Sequence, residues 1–317
     1  MSGPVTPADV PAAEASAAAA APAGGVEVLE SREATVGGLR VRRALPRRAH
    51  RTVGPWCFAD HMGPVAVTED RGVDVGPHPH MGLQTVTWLV AGEVLHRDSL
   101  GSEQLIRAGQ LNLMTAGRGV AHAEEATGRY RGDLHGIQLW VAQPEASRHG
   151  DAAFEHHAEL PRVELPGVVA TVLVGALAGT TSPARRDSDH VGAELLVAPG
   201  RTSVPVRPHD EHAVIVLAGV AAVGDAAVTP GHLAYVAPGP DELVLGSHDG
   251  EARVMLLGGP PVEDEVLIWW NFVARSTAEV DDAQRSWQRD DGRFGRVVSH
   301  LARIDAPRPP WWTTGAR

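Results

Sequence analysis

The feature that most narrows the fold is a recurrence of short alternating runs cut by glycine turns. Gln84–Val90, Glu93–Arg97, Glu103–Ile106, Leu111–Thr115 and Gly136–Ala142 each read as a strand. Ala91-Gly92, Gly101-Ser102, Ala108-Gly109 and Ala116-Gly117 separate them. Alternation gives a strand one face to bury, and each turn returns the chain beside itself. The pattern predicts an antiparallel sandwich or barrel. The second half repeats the first faintly. With Ala218-Gly219 laid over Ala91-Gly92, Val214–Leu217 falls on Thr87–Val90. Two barrels in tandem are expected, and 317 residues suffice for both.

One stretch of the first half carries chemistry. His78-Pro79-His80 leads into an alternating run, and residues two apart share a strand face. That parity puts His78, His80, Gln84, Val86, Trp88 and Val90 on one side. Met81, Leu83, Thr85, Thr87 and Leu89 fall on the other. Farther on, Gly117-Arg118-Gly119 precedes His122-Ala123-Glu124, where the same rule pairs His122 with Glu124 and turns Glu125 away. If the two strands adjoin, three imidazoles and a carboxylate converge. Such a set suits octahedral Fe(II), Mn(II) or Ni(II) with two positions left open. In the repeat register His78 meets Pro205, His80 meets Arg207, His122 meets Val244 and Glu124 meets Gly246. A single metal site, in the first barrel, is expected. His209, His212 and His232 read as surface or edge residues.

Other polar residues have plainer readings. Arg40, Arg42, Arg43, Arg47, Arg48 and Arg51 read as solvated arginines paired with acids, with an anionic-ligand or partner patch as the alternative. Asp60-His61 is either a pair supporting the metal ligands or a turn. His96 reads as a surface strand residue, and His149, His156 and His157 as loop residues. Ser276-Thr277-Ala278-Glu279 has the form of a helix start, with Val280, Ala283 and Trp287 on one face. Ile268–Val273 before it reads as a buried strand, and Arg308–Trp312 as a loose end or a partner patch.

Composition excludes several classes. The formal net charge is −11, which disfavours neutralising phosphates along nucleic acid. No apolar run is long enough to span a membrane. The amino terminus lacks the basic start of a secretion signal, and one cysteine allows no internal disulfide. A cytoplasmic protein is expected.

His78-Pro79-His80-x-Gly82, Thr115–Val120 with His122 and Glu124, Leu134–Trp140 and Val53–Pro64 together resemble the pirin family of the cupin superfamily. The resemblance implies an all-β bicupin with two jelly-roll-like barrels and a short C-terminal helix. The divisions are a disordered tail over 1–27, a metal-bearing barrel over 28–150, a barrel without ligands over 151–265, and a terminal strand and helix over 266–317 that pack back on the barrels. It further implies mononuclear iron on His78, His80, His122 and Glu124, with Mn, Ni, Cu or Zn as other occupants. Many pirins carry Glu where Gln84 stands, and an amide cannot act as a general base. Sharing the ligand face by parity, Gln84 is expected to stand beside the metal, and Glu124 to share a proton while ligating. Two functions follow from the resemblance. One is quercetin 2,3-dioxygenase chemistry on a flavonol-like aromatic with O2. The other is a redox-responsive iron protein that binds and regulates a protein partner.

Overall fold

The computed structural model describes residues 25–68 and 72–312. The expected tail lies outside them except for its last residues. Two sheets form each barrel. In the first, a seven-stranded sheet runs Ala153–His157, Leu111–Thr115, Leu83–Ala91, Gly132–Ala142, Trp56–Val67, Leu39–Leu45, Arg32–Val36. A four-stranded sheet opposes it: Val75–His80, Val120–Glu125, Glu93–Asp98, Glu103–Arg107. The second barrel repeats this seven-and-four plan with Val26–Glu30, His232–Val236, Glu211–Ala218, Ala252–Gly259, Val191–Val197, Val168–Val174 and Arg162–Leu165. Its smaller sheet is Gly200–Pro205, Glu242–Ser247, Ala221–Val223 and Ala226–Val228. One α-helix, Thr277–Arg289, is present among the described residues.

The expected divisions differ from this in two places. Val26–Glu30 pairs with His232–Val236, so the first described strand belongs to the second barrel's sheet and not to the first barrel. Ala153–His157 pairs with Leu111–Thr115 in the first barrel, which makes His156 and His157 strand residues. His149 alone of those three is exposed in a turn.

The two large sheets pack face to face. Val86, Trp88, Leu111, Leu113, Ile137 and Leu139 meet Ala213, Ile215, Leu217, Leu233, Met255 and Leu257 in one buried cluster. Each fully buried Val, Leu or Ile stabilises by roughly 1.5–3 kcal/mol. This shared face therefore outweighs any single polar link between the barrels. Such links exist: Trp56 Nε1 donates to Val191 O at 3.1 Å, and Trp88 Nε1 to Glu194 at 3.1 Å.

The packing corrects the parity assigned to the histidine stretch. Val75–His80 and Leu83–Ala91 belong to different sheets, and the chain turns the corner at Met81-Gly82. Gly82 has φ +69°, and a Cβ there would lie 2.1 Å from Val273 O. Alternation does not carry across such a corner. Val86 and Trp88 consequently face the second barrel and line no metal cavity.

The internal repeat is real at the level of pairing but shifted by two residues. Ser203 faces Val244 as His78 faces His122, and Pro205 faces Glu242 as His80 faces Val120. Ser203, not Pro205, takes the place of His78. His212 is also corrected. It is 1% exposed and shares the strand face of Val214 and Val216, which fill the second barrel.

The C-terminal segment returns to the first barrel. Leu267–Trp269 and Phe272–Ala274 form a hairpin rather than one strand, because the chain reverses at Trp270 (φ +53°). Val273 N donates to Met81 O at 3.0 Å. Ser276 Oγ then accepts from Glu279 N and starts the helix, whose Val280, Ala283 and Trp287 are buried. The terminal tryptophans are not loose: Trp311 and Trp312 both donate their indole N–H to Asp281, at 2.8 and 2.6 Å.

Candidate metal centre

The adjoining strands Val75–His80 and Val120–Glu125 bring His78, His80 and His122 together. One ring nitrogen from each lies within 4.8 Å of the others. All three rings are buried, at 0–1% exposure. Their outer nitrogens are held. His78 Nδ1 donates to Gly76 O at 2.8 Å, and His80 Nδ1 to Asn271 O at 3.1 Å. Donation from Nδ1 leaves Nε2 of each ring with a bare lone pair pointing inward. His78 Nε2 is buried without a hydrogen-bond partner among the described residues, and His80 Nε2 lies 3.1 Å from His122 Nε2. An orphaned buried acceptor beside two more ring nitrogens fits a transition-metal cation.

The electrostatics agree. Burial pushes His78 down to about 4, with Glu124 and the Gly76 carbonyl opposing. Burial and then His78 hold His80 well below the usual range, and burial with His78 and His80 does the same for His122. Three neutral imidazoles at physiological pH are three ready ligands. Glu124 is 2% exposed, two residues beyond His122 across a strand irregularity. Its carboxylate is not in the three-nitrogen cluster, though its charge acts on His78.

His96 is the residue that sequence reasoning misplaced. It is 4% exposed and its ring stacks on Phe154 at 4.4 Å. Its Nδ1 lies 3.3 Å from His122 Nδ1, and its Nε2 lies 3.2 Å from Asp98 Oδ2. The signal was present in the strand Glu93–Asp98, where Val94, His96 and Asp98 share one parity and are all buried.

The Asp60-His61 pair splits. Asp60 enters the first barrel and accepts from Arg43 Nε and Nη2, both at 2.8 Å. Arg43 lies over the Phe58 ring at 4.7 Å, Phe58 stacks on Trp140 at 4.0 Å, and Trp140 meets His80 edge-on at 5.2 Å. A ladder of rings thus joins a buried ion pair to a candidate ligand. Arg43 is 1% exposed, which corrects the reading of the arginine cluster as wholly solvated. His61 points the other way, its Nε2 3.0 Å from His135 Nε2. Gln84 shares the strand face of Val86 and donates to Thr115 Oγ1 at 2.9 Å, so it belongs to the packing between barrels and not to the histidine cluster.

Comparison with known proteins agrees with this geometry. Residues 38–141 match Pirin and residues 193–295 match the Pirin C-terminal cupin domain. A Pseudomonas aeruginosa protein named "Putative quercetin 2,3-dioxygenase" is 46% identical over 277 residues, covering 87% of each chain. A Pirin-like protein of Caulobacter vibrioides is 38% identical, covering 82% of this chain and 92% of its own. The crystal structure of a quercetin 2,3-dioxygenase from Acinetobacter baumannii matches with a TM-score of 0.87 and 42% identity, over 90% of this chain and 96% of that one. With two cupin barrels, three converging imidazoles in the first, and these matches along most of its length, the chain belongs to the pirin family.

Proposed function

We propose that the protein is an Fe(II)-dependent dioxygenase of the quercetin 2,3-dioxygenase type, with His78, His80, His122 and Glu124 as the metal ligands. The observation that carries this is the convergence of three imidazoles in a buried cup, with the Nδ1 of His78 and of His80 each held by a carbonyl so that Nε2 faces inward. The relatives named for quercetin 2,3-dioxygenase activity support the substrate class. Bound Fe(II) would supply Lewis acidity and the one-electron chemistry that lets an aromatic enolate react with O2. The chain does the rest. His78 and His80 are aimed by carbonyls, and the ring ladder behind His80 keeps that wall dry. Glu124 brings one negative charge to the cup, which leaves a divalent centre electrophilic toward an acidic phenol. A cleft of about 600 Å³ opens beside Met81, Gly82 and Gly117, next to the corner that carries His80; its Arg148 and Arg293 are paired with Glu279 and Asp282, and Arg118 stands at its edge. The one cysteine, Cys57, is buried and free, in keeping with a cytoplasmic setting; no helix among the described residues is long and apolar enough to cross a membrane.

The reading as a partner-binding redox regulator follows from the same family resemblance and would gain from a contiguous exposed arginine patch. Arg43 lies inside the barrel and Arg42 is turned toward His61, so the cluster does not supply that patch.

The test is quercetin loss with oxygen uptake by Fe(II)-reconstituted protein, beside His122→Ala and Glu124→Ala at equal iron. Turnover in the wild type alone is expected. Equal rates in all three proteins would sink the assignment.

A further inference from the structure

We propose that His96 and Asp98 act as a tautomer lock on His122, fixing which of its ring nitrogens faces the metal. The proposal rests on the reading of the histidine cluster as a metal centre. Asp98 is the anchor. Its Oδ1 accepts from the backbone N–H of Leu100 and of Ser102, both at 2.9 Å, which leaves Oδ2 facing His96 Nε2. A carboxylate only accepts, so His96 carries its proton on Nε2 and presents a bare Nδ1. That Nδ1 lies 3.3 Å from His122 Nδ1, so His122 is the donor there. The one remaining lone pair of the His122 ring is then on Nε2, the atom 3.1 Å from His80 Nε2. The lock thus turns the His122 lone pair toward the cluster, where the proposed metal would sit.

The surroundings hold the lock rigid. In register, His122 sits opposite Asp98 and Glu124 opposite His96, so lock and ligands occupy facing rungs of one ladder. Phe154 covers the His96 ring face to face. The turn after Asp98 grips the ligand strand: Ser99 N donates to Ala121 O at 2.9 Å, and Ala121 N donates to Ser99 Oγ at 3.1 Å. His96 itself is no ligand, since it approaches His122 on the edge opposite the cluster. It is a positioning residue.

The discriminating variant is Asp98→Asn. An asparagine keeps the shape and lets its carbonyl oxygen take the two backbone N–H bonds. Its NH2 then faces His96 Nε2, which must become an acceptor. The His96 proton moves to Nδ1 and meets the Nδ1 proton of His122. His122 is driven to carry its proton on Nε2, where it blocks the metal. The same carboxylate-to-amide exchange traps the wrong imidazole tautomer in hydrolase triads.

The experiment is calorimetric titration of the metal-free full chain with Ni(II), with the visible ligand-field spectrum of the Co(II)-loaded protein as a second readout. Asp98→Asn and His96→Leu are expected to weaken Ni(II) binding by about 10–100-fold and to change the Co(II) spectrum. His96→Asn, which restores an acceptor near the Nδ1 position, is expected to recover most of the affinity. Wild-type affinity and spectrum in Asp98→Asn would overturn the lock. His122→Ala separates the two readings. If it binds Ni(II) as the wild type does, the metal centre itself is wrongly placed. If it loses binding while Asp98→Asn does not, only the lock fails. Should His96→Leu not fold, the isosteric Asp98→Asn decides alone.

Discussion

At the scale of single residues, the first barrel buries a complete ion pair. Arg43 and Asp60 are both essentially inaccessible and bond through two parallel contacts. Removing one partner strands the other charge in a medium that cannot solvate it. Asp60→Ala is therefore expected to cost about 3–5 kcal/mol, read as a lowered denaturant midpoint. A change below about 1 kcal/mol would mean that water reaches Arg43 in the variant. Such a pair is hard to read from sequence, because six arginines within twelve positions look alike until the bounds of the strand Leu39–Leu45 separate Arg40, Arg42 and Arg43 from the rest. Arg40 and Arg42 fall on one side and Arg43 on the other, with Leu39 and Val41, by the ordinary alternation of the strand.

At the scale of elements, the corner between Val75–His80 and Leu83–Ala91 sets the geometry of the site. Its left-handed Gly82 sits hard against the Val273 carbonyl. Gly82→Ala is expected to destabilise by more than about 1 kcal/mol and to reduce metal content, measured by denaturant titration and metal analysis on the same sample. Full metal content in a folded variant would show that the corner is not what aims His80. Much of the element pattern was legible: the five strands read from alternation are present, and so is the capped helix. What alternation could not supply was the relation of one strand to the next. A glycine corner resets the parity, so Gln84, Val86 and Trp88 were assigned to the wrong side while His78 and His80 were assigned together. His96 went unrecognised for a different reason. An isolated histidine followed by Arg97-Asp98 resembles a surface position until its strand is seen to be covered on that face by Phe154.

At the scale of the whole molecule, stability depends on histidines kept neutral outside the three-histidine cluster. Burial pushes His61 down to about 3 and both His190 and His212 down to about 4. The unfolded chain takes up these protons near pH 6.5 and the folded one does not. Their contribution is complete above pH 6.5 and disappears as the pH falls toward 4. Each accounts for roughly 2 kcal/mol between pH 7 and 5. The metal-free protein is expected to show a denaturant midpoint that declines steeply over that interval. A flat profile from pH 7 to 5 would mean that these rings meet solvent. The chain's path has a consequence in time as well. His80 is aimed by the carbonyl of Asn271, which lies 191 residues later in the sequence. During synthesis all three imidazoles have been made once His122 has emerged, while the piece that orients His80 is still unmade. From His122 to Asn271, a little under half of translation, the growing chain thus carries an unaimed nest of histidines, and the final hairpin is the act that completes the centre proposed above.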